Sequence, residues 1–78
     1  MGEGGVVLLG REDCHLCHEA RQVLECMGLT FSEIDIDTDP DLVARWGWEI
    51  PVLLDAAGAV IAKHRFDAVA IALLLEGG

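Results

Sequence analysis

Residues 13–20 read Asp13-Cys14-His15-Leu16-Cys17-His18-Glu19-Ala20. Cys14 to His18 fits the haem attachment pattern C-x-x-C-H. The same five positions hold four metal-capable side chains. They also set two thiols at the spacing of a redox dithiol. These residues alone leave all three readings open, and the rest of the chain has to decide among them.

Upstream, Gly5-Val6-Val7-Leu8-Leu9-Gly10 is a short apolar run bounded by glycines, the pattern of a buried strand. A polar turn follows, in which Asp13 is placed to cap a helix. Leu16, Ala20, Val23, Leu24 and Met27 then fall on one helical face, and Gly28 marks a stop. Thr30 to Asp37 alternates, with Ser32, Ile34 and Ile36 on one side, and reads as a strand with one buried face. Asp39-Pro40 opens a short helix containing Leu42, Val43 and Trp46, closed by Gly47. Ile50 to Leu54 and Ala59 to Ala62 flank an Asp55–Gly58 turn and form a hairpin. Phe66, Val69, Ala70, Leu73 and Leu74 give the spacing of a last amphipathic helix from about Asp67 to Leu75, with Glu76-Gly77-Gly78 as a frayed tail. The element order is β-α-β-α-β-β-α. The first two strands, joined by a helix, predict a parallel pair, and the closing hairpin is antiparallel.

The 78 residues predict a single domain, 1–78, with its core at about 5–75. A chain this short needs a dense core, which 53% hydrophobic residues supply. Its apolar runs are too short to span a membrane. The stretch Met1-Gly2-Glu3-Gly4-Gly5 has no basic region and no long apolar segment. No secretory signal is therefore expected, and the expected location is cytoplasmic. The net charge of −9 argues against nucleic acid as a partner. Asp35, Asp37, Asp39 and Asp41 read as a solvated strand edge and a helix cap. A calcium loop would need the glycine and the closing glutamate that are missing here. Cys14, Cys17 and Cys26 are an odd set without the density of a secreted disulfide framework, so reduced thiols are expected.

Haem attachment would require an apolar pocket and a second axial ligand. The candidates are His64, Met1 and Met27, and the strand content does not suit it. Zinc would need two further ligands beside Cys14 and Cys17. Cys26 lies nine residues beyond Cys17, more than about 10 Å along a helix. No metal site is therefore expected within one chain. The dithiol reading needs less. Cys14 stands at a helix start, where unpaired N–H groups and the dipole favour a thiolate, and Cys17 lies one turn on. His15 and His18 are candidates to tune the pair, while Glu12 and Asp13 oppose a thiolate. Cys26, next to Met27, reads as a core residue. Trp46 and Trp48 read as core and rim packing.

With Cys14-His15-Leu16-Cys17 after the first strand and Ile50-Pro51-Val52 about 33 residues later, the chain resembles the thioredoxin-fold superfamily. Within it, the chain looks most like the small glutaredoxin-like proteins whose substrates are not defined. The resemblance covers roughly residues 5 to 75. It implies an α/β fold, a four-stranded mixed sheet with helices on both faces. It also implies a cis proline at Pro51 facing the dithiol, with Ile50 holding the substrate backbone. His15-Leu16 stands where the better-studied glutaredoxins have Pro-Tyr. Arg11 takes the place of their basic residue before the first cysteine. Lys63-His64-Arg65-Phe66-Asp67 replaces their Gly-Gly-x-x-Asp stretch, so a glutathione co-substrate would lack the anion-binding neighbours of Asp67.

The sequence therefore predicts a thiol–disulfide oxidoreductase without a resident cofactor. Cys14 attacks and Cys17 resolves, His15 and His18 tune, and Ile50, Pro51, Arg11 and Trp48 bind substrate. The expected partner is a protein disulfide or a low-molecular-weight thiol, met by a monomer. The alternatives are a metal or iron–sulfur module built on Cys14 and Cys17, and a redox-inert binding module.

Overall fold

A computed structural model describes residues 5–77. Met1, weighed above as a haem ligand, and the rest of the Met1–Gly4 stretch lie outside the described residues, as does Gly78.

Strand β1 (Val6–Gly10) leads through a turn into helix α1 (His15–Cys26). Next come β2 (Phe31–Asp35), a single 3-10 turn (Ile36–Thr38) and α2 (Pro40–Trp46). The chain closes with β3 (Val52–Leu54), β4 (Val60–Lys63) and α3 (Ala68–Gly77). The sheet order is β2-β1-β3-β4. β1 and β2 run parallel, with Val6 opposite Phe31 and Gly10 opposite Asp35. β3 lies antiparallel to β1, pairing Leu9 with Val52, and β4 antiparallel to β3. This is the mixed four-stranded α/β arrangement that the resemblance implies, with the parallel first pair and antiparallel hairpin that the element order predicts.

β1 is apolar throughout because it is covered on both sides. Val6 and Leu8 face one cluster with Ala20 and Leu24 of α1, Leu53, and Ile71 of α3. Leu9 faces the other way, with Ile36 and Val52, against Leu42, Val43 and Trp46 around α2. The chemistry of the caps sets the boundaries. Asp39 Oδ1 accepts the Asp41 N–H at 2.9 Å ahead of Pro40, so α2 starts there. Gly28, at φ 74°, ends α1. The Leu29 N–H reaches the Leu24 carbonyl at 3.1 Å and the Gly28 N–H the Glu25 carbonyl at 3.0 Å, a Schellman closure. Asp55 Oδ1 accepts the N–H groups of Ala57 and Ala59, both at 2.9 Å, and fixes the β3–β4 turn.

Five expectations are corrected. The helix cap is Cys14 itself, with extended backbone angles, rather than Asp13. β2 stops at Asp35 and is an edge strand: Ser32 and Ile34 are exposed, and only Ile36, now in the 3-10 turn, is buried. Cys26 is exposed, not core. It lies about 200° around α1 from the buried Leu24. In α3, Ile71 is buried, while Val69, Leu73 and Leu74 are exposed. The helix also continues to Gly77 instead of fraying after Leu75.

Candidate functional site

The site forms where β1 ends and α1 begins. After Gly10 the chain turns through Arg11–Asp13, and the Cys14 N–H donates to the Arg11 carbonyl at 3.3 Å. Cys14 then occupies the position usually held by a serine or aspartate at a helix start. Its Sγ accepts the Cys17 N–H at 3.2 Å, and its carbonyl accepts the His18 N–H at 3.2 Å. The sulfur thus takes one of the donors that a helix start leaves unpaired, at the positive end of the dipole. Cys14 is half-buried.

Cys17 differs. It is 2% exposed and belongs to the buried face of α1 with Ala20 and Leu24. Gly10 makes room for it: a Cβ on Gly10 would come within 3.0 Å of the Cys17 sulfur and 3.2 Å of its Cβ. Burial, reinforced by its hydrogen bond with Cys14, pushes the Cys17 thiol up to about 12 from an ordinary 9.0. Burial therefore favours the neutral thiol at Cys17 in the reduced protein. The sign for stability follows. The folded state holds this proton more tightly than the unfolded chain. The contribution is complete below pH 9.0 and is lost as the pH rises through about 12. A direct consequence is expected in thiol labelling. Native alkylation of the reduced protein at pH 8 should add two groups, at Cys14 and Cys26, and a third only after denaturation. Peptide mass mapping reads this out; prompt labelling of Cys17 in the folded protein would contradict its burial.

The other candidate residues are distributed as follows. His15 is exposed and its Nε2 sits 2.8 Å from Glu19 Oε2, one turn along α1. His18 Nε2–H donates to the Glu12 carbonyl at 2.7 Å, which ties α1 back to the turn. Neither of these bonds goes to a cysteine sulfur. Arg11 is held by Asp37: its Nε lies 3.1 Å from both carboxylate oxygens and its terminal nitrogen 2.9 Å from Oδ1. Trp48 is 94% exposed and lines a pocket of about 190 Å³ with Arg11, Val43 and Gly47. Trp46 packs into the α2-side core, with the Arg45 guanidinium 5.1 Å from its ring centre.

The Ile50–Pro51 peptide is cis. The pairing of Leu9 with Val52 brings Pro51 to the end of the sheet where β1 delivers Gly10 and the cysteine turn. The Ile50 N–H already donates to the Trp46 carbonyl at 3.1 Å, and the Pro51 carbonyl accepts the His64 N–H at 2.8 Å. Sequence reasoning missed two contributors. Gly10 reads as a strand boundary, and nothing local shows that a sulfur packs on it. Asp37 reads as one of several solvated acids, and only the parallel β1–β2 register brings it to Arg11. Among the described residues, no three His, Cys, Asp or Glu side chains converge as a metal site. Among them, too, no helix is long and apolar enough to cross a membrane.

A mixed sheet of this order, with C-x-x-C opening the first helix and a cis proline before the third strand, defines a small glutaredoxin-like protein of the thioredoxin fold. Residues 5–76 match the family described as Glutaredoxin-like domain (DUF836), and the chain belongs to it. It is similar to Northeast Structural Genomics target protein XcR50 from X. campestris, known from an X-ray structure. The identity is 32% and the TM-score 0.86, over 95% of this chain and 99% of that one. The solution structure of protein Ne2328 from Nitrosomonas europaea shares the fold, at 24% identity and a TM-score of 0.72, over 95% of this chain and 93% of that one. A comparison with curated proteins finds no match.

Proposed function

We propose that this protein is a dithiol–disulfide oxidoreductase. The observation that carries the reading is the asymmetry of the two sulfurs. Cys14 is accessible at a helix start and receives an N–H, while Cys17 is one turn deeper, buried and protonated. One sulfur is placed to attack and the other to resolve. Cys14, as thiolate, attacks a substrate disulfide R–S–S–R′. The Cys14–S–R bond forms and R′–S⁻ leaves, taking a proton from solvent. Cys17 then gives its proton to solvent and attacks Cys14 Sγ, releasing R–S⁻ and closing the Cys14–Cys17 disulfide. Two electrons pass from the pair to the substrate. No resident cofactor enters the reaction. The substrate is a protein disulfide or a low-molecular-weight one, met by a monomer in the cytoplasm.

The test is a redox titration of the pair in glutathione buffers, read by alkylation and mass. A reversible two-electron transition is expected between roughly −180 and −320 mV, the range of cellular dithiol carriers. Absence of a reversible Cys14–Cys17 disulfide would overturn the reading.

A further inference from the structure

The surroundings of Cys14 carry little positive charge that a substrate could use. The chain has 14 acidic and five basic residues. Of the five basic side chains, Arg11 is taken by Asp37, Arg21 by Glu33 at 2.6 Å and Lys63 by Glu49 at 2.6 Å, while Arg45 lies over the Trp46 ring and Arg65 pairs with no acid among the described residues. Arg11 matters most, because it belongs to the turn that presents Cys14 and lines the pocket in front of Trp48. Its pairing with Asp37 uses both the Nε and a terminal nitrogen, the fork geometry by which an arginine would otherwise grip a substrate carboxylate. Glu12 and Asp13, immediately before Cys14, are exposed and have no cationic partner among the described residues. The helix start favours a thiolate locally at Cys14, but a substrate approaching from outside meets a protein of net charge −9 with Glu12 and Asp13 beside the sulfur. Trp48, 94% exposed on the same pocket, offers an open ring face to an ammonium or guanidinium group.

We infer that the dithiol selects cationic disulfides, those of polypeptides with Lys or Arg beside the cysteine, and discriminates against anionic ones, glutathione disulfide included. The inference rests on the proposed dithiol reading of the same site. An approaching ammonium group is attracted by Glu12, Asp13 and the net charge, and meets the Trp48 ring. An approaching carboxylate is repelled and finds Arg11 already occupied. Charge of this kind acts mainly on the rate of encounter, where steering is worth about 10- to 1,000-fold. Screening removes it as the Debye length shrinks from about 30 Å at 10 mM salt to about 3 Å at 1 M.

Three small disulfides test this: cystamine with two ammonium groups, hydroxyethyl disulfide with none, and dithiodipropionate with two carboxylates. The reduced Cys26→Ser variant, which lacks the exposed third thiol, is oxidised by each in a single turnover that consumes one disulfide and yields two thiols. Each rate is divided by the rate of the same disulfide with dithiothreitol, a neutral dithiol, to remove differences in leaving group. At low salt, cystamine is expected to exceed dithiodipropionate at least about tenfold, and the ratio to fall toward one at high salt. Asp37→Asn, which releases Arg11, should raise the dithiodipropionate rate severalfold and narrow the ratio. Trp48→Ala should lower the cystamine rate. A ratio near one at low salt, or one indifferent to salt, overturns the selectivity and leaves the dithiol chemistry standing. Failure of all three to oxidise the pair overturns the dithiol reading, and the selectivity with it.

Discussion

Cys14→Ser is expected to reduce disulfide exchange to the buffer background, whereas Cys17→Ser should leave the first step intact and stall the second. The thiolate is the nucleophile, and a serine hydroxyl does not ionise in the working range, so with the exposed Cys26 also replaced by Ser no accessible thiol remains to attack sulfur. The loss should appear as full retention of substrate disulfide, with the fold unchanged by circular dichroism. In Cys17→Ser, Cys14 still stands at the helix start. The first exchange therefore proceeds, and in the Cys26→Ser background an adduct between Cys14 and the substrate thiol accumulates, one per chain. Intact mass shows it, and dithiothreitol reverses it. Cys26 does not substitute for Cys17, because it lies nine residues on, about 14 Å along α1, and faces solvent. A greater loss of exchange in Cys26→Ser than in Cys14→Ser would reverse the assignment.

Much of this site is legible in the residues because it depends on local chemistry. The glycine-bounded run before Cys14, the Asp39-Pro40 start and the Gly28 stop each act within a few residues, and each stands where the pattern puts it. The same holds for Asp67. Its side chain accepts the Val69 N–H at 2.9 Å and so caps α3. What the residues hide is set at long range. Cys17 looks like the outer member of a surface motif, yet it falls on the buried stripe with Ala20 and Leu24, three and seven residues on. The buried stripe shares Ala20 and Leu24 with the spacing read from Leu16 but begins at Cys17, because a cysteine packs as a small apolar side chain. The clamp of Arg11 by Asp37 spans 26 positions and depends on β2 lying parallel to β1, so a sequence pattern can give the sign of each charge but not their pairing.

Helix α3 is the case where pattern fails for a physical reason, and it yields the largest expected difference in stability. From Ala68 to Leu75 every residue is apolar, so several faces satisfy helical spacing equally well. The choice among them belongs to the sheet. Ile71, 1% exposed, enters the cluster of Leu8, Leu24 and Leu53, while Leu73 is 64% exposed. Ile71→Ala should therefore cost about 2–5 kcal/mol, for lost transfer energy and the cavity left behind. A domain of this size holds only about 0.05–0.15 kcal/mol per residue, and each kcal/mol moves its midpoint by about 4–8 °C. The melting temperature should fall by at least about 8 °C. Leu73→Ala removes a side chain that water already reaches, and alanine is the best helix former, so its effect should stay within about 0.5 kcal/mol. Thermal melts of the two variants under one condition decide the matter. Equal losses at positions 71 and 73 would mean that α3 docks through a different face from the one that buries Ile71.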